Sequence, residues 1–351
     1  MQVLPTPLEA VRAYYGRVLQ GTHDLKTSAC CTTDDQPRYL RRILAEIDDE
    51  ILSRFYGCGS PLPLALGGAT VLDLGCGTGR DAYLAARLAG PEGRVIGVDM
   101  TPEQLAVARR HEAAQAARFG YDAPNTDFRH GYIEDLRTAG IEDDSVDVVI
   151  SNCVINLSPD KPAVFSEIFR VLKPGGELLF ADVFADRRLP AHHADDAELY
   201  GECLAGALYT EDFRRLLYGL GCLDYRIVRH RSVTLDDPDV AERVGTAQFF
   251  STTIRAFKLP GLLEDRCEDY GQVATYRGTI PHAPHAFTLD DHHHFETGRP
   301  MLVCGNTAAM LEATRYAPHF TVSGDRSTHF GLFDCAPAPA AGADAAPGAC
   351  C

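Results

Sequence analysis

The 351-residue chain is short of positive charge: 33 lysines and arginines stand against 49 aspartates and glutamates, a formal net charge of −16. Holding nucleic-acid phosphates needs a basic surface, so no nucleic-acid partner is expected. Long apolar runs are missing too. None approaches the ~20 residues of a membrane span, so no membrane partner is expected. The amino terminus sets proline and Glu9 where an export signal has its unbroken apolar core. These absences make a cytoplasmic protein the expectation. The cysteines lack the C-x-x-C…C-x-x-C spacing of a zinc ribbon or finger. No histidine–aspartate dyad stands near the glycine-rich stretch at 75–79.

What the chain has in quantity is cysteine, twelve in all. In a reducing compartment these are thiols by default, and soft-metal or redox chemistry is the sharper reading. Cys30 and Cys31 lie in a polar stretch that gives adjacent thiols little to pack against. Cys58 sits between two glycines, which favours an accessible thiol. Cys222 and Cys304 lie in apolar runs and read as buried core thiols. Cys267 and Cys335 have no evident role. Cys350 and Cys351 end a low-complexity Ala/Pro tail expected to be disordered. Asp291-His-His-His-Phe295 suggests a metal site, but three consecutive histidines cannot face one way on a strand. A solvated strand end or loop is the plainer reading.

The chain is organised around Val71-Leu-Asp-Leu-Gly-Cys-Gly-Thr-Gly79. An apolar β-type run ends at Asp73, glycines follow at 75, 77 and 79, and a helical pattern begins at Arg80. Glycines let such a turn fold sharply and let a ligand approach the backbone. The spacing is G-x-G-x-G, not the G-x-G-x-x-G of dinucleotide sites. That points to S-adenosylmethionine, whose aminocarboxypropyl chain crosses the loop without a pyrophosphate. A second strand ends in Asp99, placed to accept from two ribose hydroxyls. Met100 suits an adenine face. Thr101-Pro-Glu-Gln104 has the spacing of a helix-capping box, so Thr101 is expected to cap and to leave Asp99 for the ribose. Ile133 and Glu134, after the third strand, are candidates for the adenine amino group. Asn152 ends the fourth strand at the cofactor edge of the sheet, and Cys153 follows it.

Strands are expected at 70–74, 94–98, 126–130, 146–151, 176–183 and 223–229, with helices between, and a helix over 38–55. That alternation implies an α/β fold with a doubly wound, mostly parallel sheet. The expected division is an amino-terminal helical cap (1–60), the cofactor-binding domain (61–235), a smaller α/β unit (236–334) and the tail (335–351).

Five segments together resemble the arsenite S-adenosylmethionine methyltransferases. They are Phe55-Tyr-Gly-Cys-Gly-Ser-Pro61, Asp73-Leu-Gly-Cys-Gly-Thr-Gly-Arg-Asp81, Gly97-Val-Asp-Met100, Ser151-Asn-Cys-Val-Ile-Asn-Leu157 and Gly201-Glu-Cys-Leu-Ala-Gly-Ala-Leu-Tyr209. The glycine loop is common to many methyltransferases; the Asn-Cys-Val and Gly-Glu-Cys-Leu pieces are more particular. The resemblance implies a class I, Rossmann-like methyltransferase fold. It implies that Cys153 and Cys203 bind trivalent arsenic, with Cys58 and Cys30 or Cys31 in further binding or in a redox disulfide. It implies a glutathione-type arsenic adduct as substrate and a thioredoxin-type reductant. The full cofactor set expected is Tyr56, Asp73, Gly75, Cys76 and Gly77, with Asp99, Met100, Ile133, Glu134 and Asn152.

The chemistry suits the residues. Trivalent arsenic is thiophilic. A cysteine of ordinary pKa is roughly 3 % thiolate at pH 7, and binding drives deprotonation. Sulfur-bound arsenic keeps a lone pair that can attack a sulfonium methyl, so no general base is required. Two alternatives stay open: a methyltransferase of a small organic acceptor, which would tolerate serine at 153 and 203, and a non-catalytic thiol-rich metalloid binder.

Overall fold

A computed structural model describes residues 36–55, 57, 59–201 and 203–335. Cys30, Cys31, Tyr56, Cys58, Cys350 and Cys351, residues 1–35 of the expected helical cap and the Ala/Pro tail lie outside the described residues.

Two short helices come first, α1 (Arg38–Leu44) and α2 (Asp49–Leu52). One continuous helix was expected over 38–55. The break falls where the Asp48 side chain accepts from the Glu50 N–H and starts a new helix. The sheet then alternates with helices: β1 (Thr70–Leu74), α3 (Arg80–Ala89), β2 (Arg94–Asp99), α4 (Pro102–Phe119), β3 (Thr126–His130) and β4 (Val146–Asn152). There follow α5 (Lys161–Val171), β5 (Leu172–Ala185), α6 (Ala197–Gly201), β6 (Leu208–Tyr209), α7 (Thr210–Gly219) and β7 (Tyr225–Ser232). Last come α8 (Pro238–Val244), β8 (Phe249–Phe257), β9 (Glu268–Asp269), β10 (Gln272–Tyr276), β11 (Ala286–Thr288), β12 (His294–Glu296), β13 (Pro300–Val303), α9 (Gly305–Glu312), β14 (Phe320–Ser323) and β15 (Gly331–Leu332).

The main sheet runs β3-β2-β1-β4-β5-β8-β7, with β6 beside β5. Pairs from β3 through β5 are parallel; β8 is antiparallel to both its neighbours. Alternate residues serve opposite faces. Leu72, Leu74 and Val98 pack with Phe165 and Phe213 from α5 and α7. Val71, Val95 and Ile150 pack with Leu40, Tyr83 and Leu105 on the other side. Each such fully buried side chain contributes roughly 1.5–3 kcal/mol. The sheet is therefore covered on both faces, the arrangement expected of a doubly wound fold.

The strand β8 was not anticipated. It wedges between β5 and β7, so the sheet continues past residue 235. Its Arg255 donates to the buried Glu177 of β5 at 2.8 Å, and Arg315 and Tyr316 reach the same carboxylate at 2.5 and 2.9 Å. These cations hold the Glu177 carboxyl below the ordinary range despite its burial. The rest of the carboxyl-terminal unit is a β13-β10-β14 sheet with α9 over a core of Tyr276, Phe287, Phe295 and Phe320. Among the described residues no helix is long and apolar enough to cross a membrane.

The three histidines separate. His293 is buried against Asp290, His294 meets Thr288 from β12, and His292 lies exposed beside Asp291. The three do not form one site, but His293 is buried and not solvated as expected, and His292 groups with Asp290 and Asp291.

Candidate active site

A cleft with about 980 Å³ of empty space, open solvent included, lies at the carboxyl ends of β1, β2 and β4. That is where doubly wound sheets take ligands. Its walls include Asp73, Gly75, Cys76, Gly77, Asp99 and Met100, and also Ile133, Glu134, Asn152 and Cys153. Every expected cofactor residue that falls among the described residues thus meets at one place.

The glycine loop explains itself sterically. Gly75 has φ +66, and a Cβ there would lie 2.4 Å from the Val154 side chain. Gly77 has φ +53 and donates its N–H to Asp99 Oδ2 at 2.8 Å. The other Asp99 oxygen accepts from the Thr101 N–H at 2.7 Å. This corrects the expectation for Thr101, whose own side chain makes no cap to its helix. Asp99 holds the N–H of the residue that precedes the helix and still lines the cavity, because each carboxylate oxygen has a second lone pair. Burial pushes the Asp99 carboxyl up, while these N–H donors pull it down.

Asp73 is buried more deeply. Burial, with Asp81 and Asp99 nearby, raises its carboxyl well above the usual range. Its Oδ2 has no hydrogen-bond partner among the described residues. A buried carboxylate oxygen facing a cavity suits a cationic ammonium, such as the one at the amino-acid end of S-adenosylmethionine. Asn152 donates to Asp81 at 2.7 Å and to the Gly59 carbonyl at 2.9 Å, so it braces the wall. The Arg80 guanidinium pairs with Asp81 and sits 3.8 Å over the Phe55 ring. Cys76 is buried and its thiol is pushed well up, which makes it a wall residue and not a nucleophile.

Cys153 stands in the cavity wall and Cys203 lies beyond its edge. Cys153 (φ +55) and Cys203 (φ +61) both take the left-handed backbone conformation, uncommon outside glycine. Such strain gathers at functional positions. The Cys203 thiol donates to the Cys153 carbonyl at 3.6 Å, and both residues are buried in one cluster with Leu157 and Tyr200. The Tyr200 hydroxyl fastens this segment to the Leu157 carbonyl at 3.0 Å. Gly206 passes so close that a Cβ would meet the Asn156 carbonyl at 2.0 Å. Cys203 is a reduced thiol, whereas Cys153 is disulfide-bonded. At Cys153 this differs from the default reading of a reduced thiol.

Sequence reasoning overlooked Lys161 and Asp182. Asp182 is fully buried on β5; burial raises its carboxyl to about 7 although the Asn156 and Val183 N–H groups donate to it. Lys161 is shifted down by burial against the pull of Asp182, Cys203 and Glu134. Its only local signal was a helix start at Asp160-Lys161-Pro162, which says nothing of these neighbours.

Comparison with known proteins agrees with this geometry. Residues 66–221 match a methyltransferase domain family, and residues 270–341 match the arsenite methyltransferase C-terminal domain. The arsenite methyltransferase of Aquipseudomonas alcaligenes is 55 % identical over 93 % of each chain. The human arsenite methyltransferase is 38 % identical over 89 % of this chain and 82 % of that one. The crystal structure of the arsenic(III) S-adenosylmethionine methyltransferase of Chlamydomonas reinhardtii superposes with a TM-score of 0.82 at 53 % identity, covering 85 % of this chain and all of that one. With relatives so similar over nearly their whole length, and a glycine-loop cavity flanked by two converging cysteines, the chain belongs to the arsenite methyltransferase family of S-adenosylmethionine-dependent enzymes.

Proposed function

We propose that this chain transfers the methyl group of S-adenosylmethionine to trivalent arsenic held by sulfur, giving monomethyl and then dimethyl arsenicals. The observation that carries the reading is the Cys203 thiol set against the Cys153 carbonyl, with Cys153 in the wall of the cofactor cavity. S-adenosylmethionine supplies an electrophilic methyl carbon with a neutral thioether as leaving group, so arsenic's lone pair makes the new bond and no base is required.

The chain's residues hold and align. Asp73 takes the ammonium end and Asp99 the ribose. Met100, Ile133 and Glu134 frame the adenine, and Gly75, Cys76 and Gly77 give the floor, with Asn152 at the side; Tyr56 is assigned to the cofactor from the family resemblance alone. Cys153, Cys203 and Cys58 ligate arsenic by exchanging its glutathione-type thiols for their own. Good alignment is equivalent to ~10⁵ M or more of effective concentration. Each methylation oxidises arsenic by two electrons, and a protein disulfide formed from two thiols returns them. Cys58 with Cys30 or Cys31 is the pair we assign, and a thioredoxin-type donor in the cytoplasm reduces it. The disulfide at Cys153 supports thiol–disulfide exchange at this centre, and it has to open before Cys153 binds arsenic. The division into 1–60, 61–235, 236–334 and 335–351 accompanies this reading, with β8 lent to the main sheet.

The test is incubation of the full chain with arsenite, glutathione and methyl donor, followed by chromatographic speciation of arsenic. Monomethyl and dimethyl species are expected from the native protein and little from Cys153→Ser or Cys203→Ser. Arsenic methylation at the native rate in both variants would overturn the role of these two cysteines, and no methylated arsenic from the native chain would favour an organic acceptor.

A further inference from the structure

Three cysteines outside the cavity converge in the carboxyl-terminal unit. The sulfurs of Cys267, Cys304 and Cys335 all lie within 4.8 Å of one another, and all three are reduced. None lines the cofactor cavity. The fold builds the cluster deliberately. Cys267 leads into β9 and Cys335 follows β15; these strands pair, and the Phe333 N–H donates to the Cys267 carbonyl at 2.7 Å. Cys304 caps the start of α9, its sulfur accepting from the Thr307 N–H at 3.5 Å and meeting the Thr307 hydroxyl at 3.3 Å. Arg226 donates to the same sulfur at 3.8 Å. Donors from Cys267, Cys335, Arg226 and Thr307 together hold the Cys304 thiol well below the ordinary range.

Geometry and charge decide between possible occupants. Bonds of ~2.3 Å at tetrahedral angles put sulfurs about 3.7 Å apart, within a small side-chain rotation of this arrangement. Structural zinc wants four ligands. Among the described residues no histidine or carboxylate joins the three sulfurs. Trivalent arsenic or antimony is complete with three sulfurs and a lone pair. The layer beside Cys304 already holds Arg226 between Asp224 at 2.7 Å and Asp290 at 3.2 Å. Both acids are buried there. Three thiolates on a trivalent ion form a neutral unit and add no charge to that layer, whereas three on a divalent ion leave a net anion in it.

We propose that Cys267, Cys304 and Cys335 form a second site for a trivalent thiophilic metalloid, arsenite or antimonite, distinct from the methyl-transfer site. Binding is a condensation: three S–H and three metalloid–OH bonds break, three metalloid–sulfur bonds form, and three waters leave. Nothing is oxidised. Once filled, the site ties the β9–β15 pair to the start of α9 and so fastens the end of the described chain to its core.

The test uses the full, reduced chain with arsenite and no methyl donor. Arsenic per chain is counted after gel filtration, with sulfur coordination read from arsenic-edge X-ray absorption. The comparison protein is Cys267→Ser/Cys335→Ser, which leaves one thiol and cannot chelate. Native protein is expected to hold one more arsenic than this variant, with three sulfurs around it. Arsenic bound elsewhere, including at Cys350 and Cys351, is common to both and cancels. Cys335→Ser alone, a partly exposed position, is expected to methylate arsenite within twofold of native, which certifies its fold, and to lose the three-sulfur equivalent. Cys203→Ser is expected to keep it, so failure of the methylation reading is told apart from failure here. Equal arsenic in native and double variant overturns the proposal. So does a zinc, but no arsenic, that only the intact triad retains.

Discussion

The thiol of Cys203 donates to the main-chain carbonyl of Cys153 across 3.6 Å, joining a strand-end turn to a segment fifty positions onward. The contact depends on Gly206, whose missing Cβ lets the second segment pass the Asn156 carbonyl. Gly206→Ala is expected to push Cys203 outward by the order of an ångström. A misplacement of that size costs about 100-fold in rate. Steady-state methylation measured beside calorimetric S-adenosylmethionine binding checks this: turnover falls and cofactor affinity stays within about twofold.

Asp73 pairs a cost with a use. Its desolvated carboxyl burdens the empty fold, and Asp73 lines the cavity with its Oδ2 buried and unmatched. Asp73→Asn is expected to raise the melting temperature of the ligand-free protein. It is also expected to weaken S-adenosylmethionine binding about 10- to 100-fold, the range of a lost charge-assisted hydrogen bond. Thermal unfolding and calorimetry on one preparation read both effects.

Asp182 gives a pH signature. Its carboxyl is raised to about 7 in the folded chain and returns to about 3.9 on unfolding. The folded state therefore binds the proton more tightly. The stability this contributes is complete below about pH 4 and is lost as pH rises toward 7. Native protein is expected to lose stability relative to Asp182→Asn at about 1.4 kcal/mol per pH unit within that window. Urea unfolding of both proteins across pH 4.5–8 measures the difference.

Glu177 has the opposite sign. Arg315 and Arg255 hold its carboxyl low against burial, so its contribution is present above the unfolded value of about 4.3 and is lost as pH falls below it. Glu177→Gln strands the buried Arg255 and the half-buried Arg315 and is expected to cost about 3–5 kcal/mol at neutral pH. Urea midpoints at pH 7 and pH 4 check the size and the narrowing of the gap.

The sheet from β1 to β5 was legible because strands buried on both faces read as apolar runs that end in glycine or an acid. Asp73, Asp99 and Asn152 stood at those ends, and the cavity collects them. The strand β8 was not legible. Ser251, Thr252, Thr253 and Arg255 make it look polar, and Arg255 is acceptable inside only because Glu177 waits on a strand far back in sequence. Cys304 looked like an isolated core thiol for the same reason: pairing of β9 with β15 brings the other two sulfurs to it. Thr101 keeps the N-cap position but makes no side-chain cap, and its own N–H is held by Asp99, a contact that the capping-box spacing does not show.

The account turns on arsenic, gripped by sulfur at Cys203 and Cys153, receiving the methyl directly. A rapid-quench single turnover tests this, with reduced protein, arsenite and methyl-labelled S-adenosylmethionine, using native chain and Cys203→Ser at equal cofactor saturation. The account predicts label in monomethyl arsenic from the native chain and at least ~100-fold slower labelling from the variant. Equal labelling rates in the two proteins would contradict it.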